Sequence, residues 1–180
     1  MLGQLNRSIA LAPDQENAYT AKSFYLNSSG RSSEGLRAAN AGLAVNPNSA
    51  NLYNVRAYAE INLALFDQAR SDIARAMQLS PRDPFTNLWR TNLADAEMGL
   101  GHFDAAIDLI HQAIDAGYRD SYPYRELAAA YTLQGKMDDA KTALAEALRL
   151  NPKITVKQAA RTNPVPVILD ALRKAGLPEE

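Results

Sequence analysis

The stretch Tyr124–Pro152, YRELAAAYTLQGKMDDAKTALAEALRLNP, decides the fold. Its apolar residues recur at spacings of three and four, the period of a helix and not of a strand. Tyr124, Leu127, Ala128 and Tyr131 line one face, and beyond Gly135 a second run places Ala140, Leu144 and Ala147 on another. A glycine between two such runs is a helix stop, so the stretch predicts two helices joined by a short turn. Antiparallel helices approach closely only where side chains are small. A larger residue at Ala140, or at its counterpart Ala106, should overpack that crossing by about 1–3 kcal/mol.

Outward from this stretch the pattern repeats. Segments close at Ala12-Pro13, Asn46-Pro47, Ser80-Pro81 and Asn151-Pro152, and the first two intervals are 34 residues each. The last interval is 71, two periods plus three, with the extra residues between Pro81 and Tyr118. Breaks fall at Gly30, Ala64, Gly101 and Gly135. Each is followed five residues on by a small residue (Gly35, Ala69, Ala106, Ala140) and nine on by an apolar one (Ala39, Ile73, Ile110, Leu144). Self-similarity at such a period marks stacked supersecondary units. The units run about 16–47, 50–81, 87–118 and 121–152. Residues 1–13 read as the second half of an earlier unit, with Leu5 and Ile9 on its stripe. Terminal repeats normally carry polar caps, so this start predicts a chain cut from a longer protein.

The aromatic, Leu-Gly-like, Tyr, Ala, Ala and Pro positions resemble the tetratricopeptide repeat. The resemblance covers most of residues 1–152. It is strong in Tyr124–Pro152 and good in Tyr53–Pro81, and weaker in Tyr19–Pro47, where Lys22 and Gly35 depart from it. In the third unit Trp89 stands about one position from the aromatic site, and Glu60 and Glu97 take the usual Tyr position. The fold it implies is an all-α, right-handed α-α superhelix, a tetratricopeptide solenoid ending in capping helices over 153–180. There ITVKQAART gives a short helix, NPVP a break, and VILDALRKAGLPEE a last helix with Val167, Ile168, Leu169 and Leu172 on its apolar face. That helix reads as a cover for the last repeat. The run Leu150–Thr155 followed by LRKAGLPE, Leu172–Glu179, also resembles the end of bacterial multidomain signalling proteins. In these, repeats follow a class III adenylate cyclase or a winged-helix domain, which implies an output domain upstream.

Composition narrows the function. The 180 residues are 47% hydrophobic and 22% charged, with 19 basic against 20 acidic side chains, a globular and not a disordered profile. That balance disfavours a nucleic-acid partner. No stretch approaches the roughly 18 apolar residues that span a bilayer, and the first residues are too polar for a secretory signal. A cytoplasmic protein without a membrane partner is expected. With no Cys there is neither a disulfide framework nor a thiolate metal site. Asp67, Asp104 and Asp138 recur at one repeat position at the start of second helices, with Ser33 in the first unit, and are expected to cap those helices. His102 and His111 lack the i, i+4 spacing of a metal pair, and the scattered glycines form no phosphate loop. Trp89 is expected in the core. No catalytic residue, metal or cofactor is expected, and the chain reads as a non-enzyme.

What remains is recognition. In the family that the chain resembles, first helices line a concave groove through positions two, five, nine and twelve or thirteen. Carried over, these are Thr20 and Phe24; Asn51, Asn54, Tyr58, Ile61 and Asn62; Thr91, Asp95 and Met98; Tyr122, Arg125 and Thr132. Asn both donates to and accepts from an extended peptide, and Tyr adds apolar area with a polar tip. The partner-binding set is therefore Asn51, Asn54, Tyr58, Asn62, Thr91, Asp95, Tyr122 and Arg125. The carboxylate clamp of some family members is missing, since its places hold Thr20, Phe24, Val55, Leu88 and Asn92. The expected function is non-catalytic binding of a protein or peptide through the concave face. The alternative is a regulatory or homodimerising module acting on a neighbouring domain of a larger signalling protein such as an adenylate cyclase.

Overall fold

The computed structural model describes residues 1–180, and all regular structure in it is helical. The helices group into two compact units, Met1–Asp83 and Pro84–Glu180. The first holds α1 (Leu2–Leu11), α2 (Glu16–Ser28), α3 (Ser32–Val45), α4 (Ala50–Asn62) and α5 (Phe66–Leu79). The second holds α6 (Thr86–Gly99), α7 (Phe103–Asp115), α8 (Ser121–Leu133), α9 (Met137–Leu150), α10 (Val156–Thr162) and α11 (Pro166–Ala175).

Four hairpins, α2–α3, α4–α5, α6–α7 and α8–α9, are closed by one turn. Gly30, Ala64, Gly101 and Gly135 all take the left-handed conformation, φ 73°, 58°, 81° and 83°. The next residue then donates its backbone N–H to the carbonyl five back: Arg31 to Leu26, Leu65 to Glu60, His102 to Glu97 and Lys136 to Tyr131, at 2.8–2.9 Å. This is the hydrogen bond of a Schellman stop, and only glycine adopts that φ without strain. Ala64 is the exception. Its methyl group carries the steric cost that the glycines avoid.

The small positions pack as read from the sequence. Ala69, Ala106 and Ala140 are fully buried at the crossings. At Gly35 a Cβ would lie 2.0 Å from Asn27 Oδ1, so the glycine makes room for a buried amide that donates to the Val55 carbonyl at 3.0 Å. Around these crossings lie Leu26, Leu52, Ile61 and Ile73 in the first unit. Trp89, Met98 and Ile110 do the same in the second, all at most 2% exposed. First helices begin at Glu16, Ala50, Thr86 and Ser121, so the step opens from 34 to 36 and then 35 residues. The extra residues sit in the links before α6 and α8, and Phe85 in the former is exposed.

The caps differ from expectation. Asp67, Asp104 and Asp138 stand inside the first turns of α5, α7 and α9, whose N-caps Leu65, His102 and Lys136 accept no side-chain bond. The tight turn places each of these carboxylates two residues too late to cap. They favour the helix dipole instead, with Asp67 also paired to Arg70 at 3.0 Å. Side-chain caps occur on other helices: Ser49 accepts from Leu52 N–H on α4, Asp120 from Tyr122 on α8 and Thr155 from Gln158 on α10.

Candidate functional site

In the first unit α2 and α4 pack side by side. Their shared face, which the repeat register assigns to the groove, carries Thr20, Phe24, Asn51, Asn54, Tyr58 and Asn62. Phe24 is 57% exposed, and its ring lies 6.1 Å from that of Tyr58, tilted by 39°. Asn51 is exposed and Asn54 and Tyr58 partly so. Asn62 donates to Ser32 Oγ at 3.1 Å, which ties it to the neighbouring hairpin, while Ile61 is buried. The result is an aromatic pair set among amides and open to water. Such a surface offers stacking area and main-chain hydrogen bonding together.

The other side of α4 is charged. Arg56 pairs with Asp72 on α5, Nη2 to Oδ1 at 2.7 Å, and lies over the Tyr53 ring. Glu60, 6% exposed, sits 3.8 Å from Arg56. Burial, and secondly the Asp72 charge, push the Glu60 carboxyl up to about 7. Glu60 thus fills the usual Tyr position as a buried acid able to hold a proton near neutrality.

The second unit treats the equivalent positions differently. Thr91, Asp95 and Arg125 are 0%, 2% and 5% exposed, and Met98 is 1%. Tyr122 donates to Asp95 Oδ2 at 2.7 Å and reaches Asn92 Oδ1 at 3.1 Å. The Arg125 guanidinium binds Glu126 Oε1 through Nε at 2.8 Å and lies 4.9 Å from the Tyr122 ring centre. The Asp95 and Glu126 carboxyls are buried side by side and hydrogen-bonded to each other. Burial, then the Glu126 charge, hold the Asp95 carboxyl well above the usual range. Burial, then the Asp95 charge, likewise raise the Tyr122 hydroxyl. Arg125 pairs with Glu126 alone, and Asp95 lies hydrogen-bonded to that same carboxylate, which favours the protonated form of Asp95.

The sequence-selected residues therefore separate. Asn51, Asn54 and Tyr58 stay accessible, whereas Thr91, Asp95 and Arg125 lie inside. Asn92 and Glu126, which complete the inner cluster, were not in that set; in sequence Glu126 reads as an ordinary charge on a helix surface. Among the histidines, His102 Nδ1 lies 2.7 Å from Glu97 Oε2 and His111 Nε2 3.0 Å from the Tyr131 hydroxyl. No group of three or more His, Asp or Glu is placed to hold a metal ion. No helix is long and apolar enough to cross a membrane.

A sequence model of the tetratricopeptide repeat family matches residues 91–153. No curated protein sequence matches the chain. Among solved structures the chain is similar to PilW, a widely conserved type IV pilus biogenesis factor (15% identity, 96% of this chain and 79% of that one, TM-score 0.77). It is similar also to TTC0263, a thermophilic TPR protein in Thermus thermophilus (21%, 96% and 89%, 0.75). A third is YrrB, a TPR protein with an unusual peptide-binding site (13%, 95% and 90%, 0.62). The match supports the repeat and carries no cyclase or winged-helix context. The chain has the all-α fold of the tetratricopeptide solenoid proteins, and residues 91–153 carry the sequence of that repeat.

Proposed function

We propose that the chain is a non-catalytic interaction module that binds a peptide or protein through the groove side of its first helices. The working repeats are about 16–47, 50–81, 87–118 and 121–152, and 153–180 cover the last of them. One observation carries the reading. At positions that a folded chain has every reason to bury, Phe24 stands 57% exposed against Tyr58 with amide side chains around it. Large exposed aromatics among hydrogen-bonding groups are the composition of recognition surfaces. The tetratricopeptide fold, in general a protein-interaction scaffold, and the peptide-binding site of YrrB support it. Within the proposed set, Asn51, Asn54 and Tyr58 meet the partner directly. Asn62 holds the face in place through Ser32, and Thr91, Asp95, Tyr122 and Arg125 form a second, covered part.

The test is selection of peptides from a displayed random library on the intact protein, followed by affinity measurement on variants. Phe24→Ala with Tyr58→Ala should weaken the selected peptide by at least about tenfold, the usual scale for an aromatic hot spot, with helicity unchanged. Unaltered affinity would remove the groove face from consideration. A second reading rests on the LRKAGLPE run: a regulatory or dimerising module of a larger bacterial signalling protein. It predicts a particle of twice the monomer mass at micromolar concentration in sedimentation, and a monomer would exclude the dimerising form.

A further inference from the structure

The end of the second unit carries a charged surface built from residues that the groove does not use. After Pro152 the chain enters α10, whose Val156 and Ala159 are buried at 1% and 0% exposure. These two anchor the helix and leave Lys157 and Arg161 exposed, four residues apart and therefore on one face. Lys153 stands four residues earlier, in the turn before the helix, and is exposed as well. The three cations line a cleft of about 390 Å³, with Ile154 and Pro178 among its apolar walls. That volume lies in the range of ligand sites.

Part of this charge works against the helix that carries it. Lys157 is the second residue of α10, where the helix dipole opposes a cation, and it repels Arg161 one turn on. Glu180 is the one carboxylate of the cleft, and its Oε1 and Oε2 accept from Lys157 Nζ at 2.9 and 3.1 Å. Asp170 and Glu179 both pair with Arg173, which leaves Lys153 and Arg161 exposed and without a carboxylate. The chain's own tail shows what the cleft accepts. Pro178 and Glu179 take backbone bonds from Val156 and Lys157 at 2.8 and 3.2 Å, while the next side chain sets its carboxylate on Lys157. Main chain and carboxylate are thus held together, as in an acidic peptide. A compact dianion such as phosphate needs donors that converge on one point; a row of separate cations with Glu180 among them suits separate single charges.

We propose that this cleft is a second binding site, for an acidic peptide segment of a partner protein, separate from the aromatic and amide face of α2 and α4. Carboxylates of the segment pair with Lys153 and Arg161. Arg161 offers a planar fork that takes a carboxylate through two parallel bonds, and Lys153 a single mobile charge. Glu180 competes for Lys157 and lowers the affinity by its own negative charge.

The experiment uses the full chain at physiological salt with four probes: labelled decapeptides of alternating Glu-Ala and alternating Arg-Ala, inorganic phosphate, and phosphatidylserine vesicles. The Glu-Ala peptide should bind and shift the amide resonances of residues 153–161, and the Arg-Ala peptide should do neither. Lys153→Gln with Arg161→Gln should weaken Glu-Ala binding by about three- to tenfold, the scale of two exposed charge pairs. Glu180→Gln should strengthen it by about two- to threefold. Lys141→Gln with Lys174→Gln removes the same charge from exposed positions on α9 and α11, and should leave the affinity within about twofold. Equal weakening by the two double variants would mean that net charge alone is sensed, and it overturns the site. So does a Glu-Ala peptide that moves no resonance in 153–161. Binding of phosphate or of the vesicles in place of the Glu-Ala peptide overturns the peptide as occupant. Phe24→Ala with Tyr58→Ala should leave Glu-Ala binding unchanged, so this site and the groove stand or fall separately.

Discussion

Single residues in this fold are set by what their neighbours lack. Asn27 is buried because Gly35 has no side chain, and its amide bridges to the Val55 carbonyl of α4. Replacing Gly35 with Ala would raise intrinsic helix propensity by about 1 kcal/mol. It would also drive a Cβ into an amide that cannot swing away without losing its bond, and overpacking of that kind costs about 1–3 kcal/mol. Gly35→Ala should therefore destabilise the first unit by up to about 2 kcal/mol in urea unfolding. In an Asn27→Ala background the same change should be neutral or stabilising. An unchanged sign in that background would mean that the two residues are not coupled. Sequence alone showed the glycine as a departure from the alanine pattern but not its cause, because Asn27 reads as one more polar residue on a helix. Glu60, Asp95 and Glu126 were opaque for a similar reason: a charge at a buried position looks the same in sequence as a charge at the surface.

Helices were the legible level. The three-and-four spacing located the hairpins, and the positions of Gly30, Ala64, Gly101 and Gly135 located their turns, because period and left-handed stops are local properties. Caps were less legible, since each aspartate falls at the second residue of its helix once the turn has tightened. The stripe on α11 said that it would cover the last repeat, but not that the helix would reach α6 as well. The assignment of second-helix faces can be tested on α9. Leu144, 4% exposed, should cost about 2–5 kcal/mol when cut to Ala. His111 on α7 is exposed with only the Tyr131 hydroxyl beside it, and its replacement by Ala should cost within about 0.5 kcal/mol. Thermal unfolding followed by circular dichroism separates the two, and equal effects would mean that the faces are misassigned.

Across the whole molecule the formal charge is only −1, so general self-repulsion contributes little to its pH response. The response belongs to acids buried in each unit. Glu60 in the first is pushed from 4.5 up to about 7, by burial and then by Asp72, against the opposing pull of Arg56. Asp95 in the second is shifted in the same direction by burial and by Glu126. A carboxyl whose folded pKa lies above its unfolded one binds more protons in the folded state between the two values. Stability then falls as pH rises through that window, and the loss is complete above the folded pKa. For Glu60 the window runs from 4.5 to about 7, and the loss is on the order of 2–3 kcal/mol. The protein should accordingly resist urea better at pH 5 than at pH 8. Glu60→Gln keeps the shape and cannot ionise, so it should match the parent at pH 5 and exceed it at pH 8, read by amide exchange in α4 and α5. A variant equally destabilised at both values would show that the Glu60 carboxylate is a fixed partner of Arg56 and not a titrating group. The slope that survives the substitution would then belong to Asp95, and Asp95→Asn should flatten it in the second unit alone.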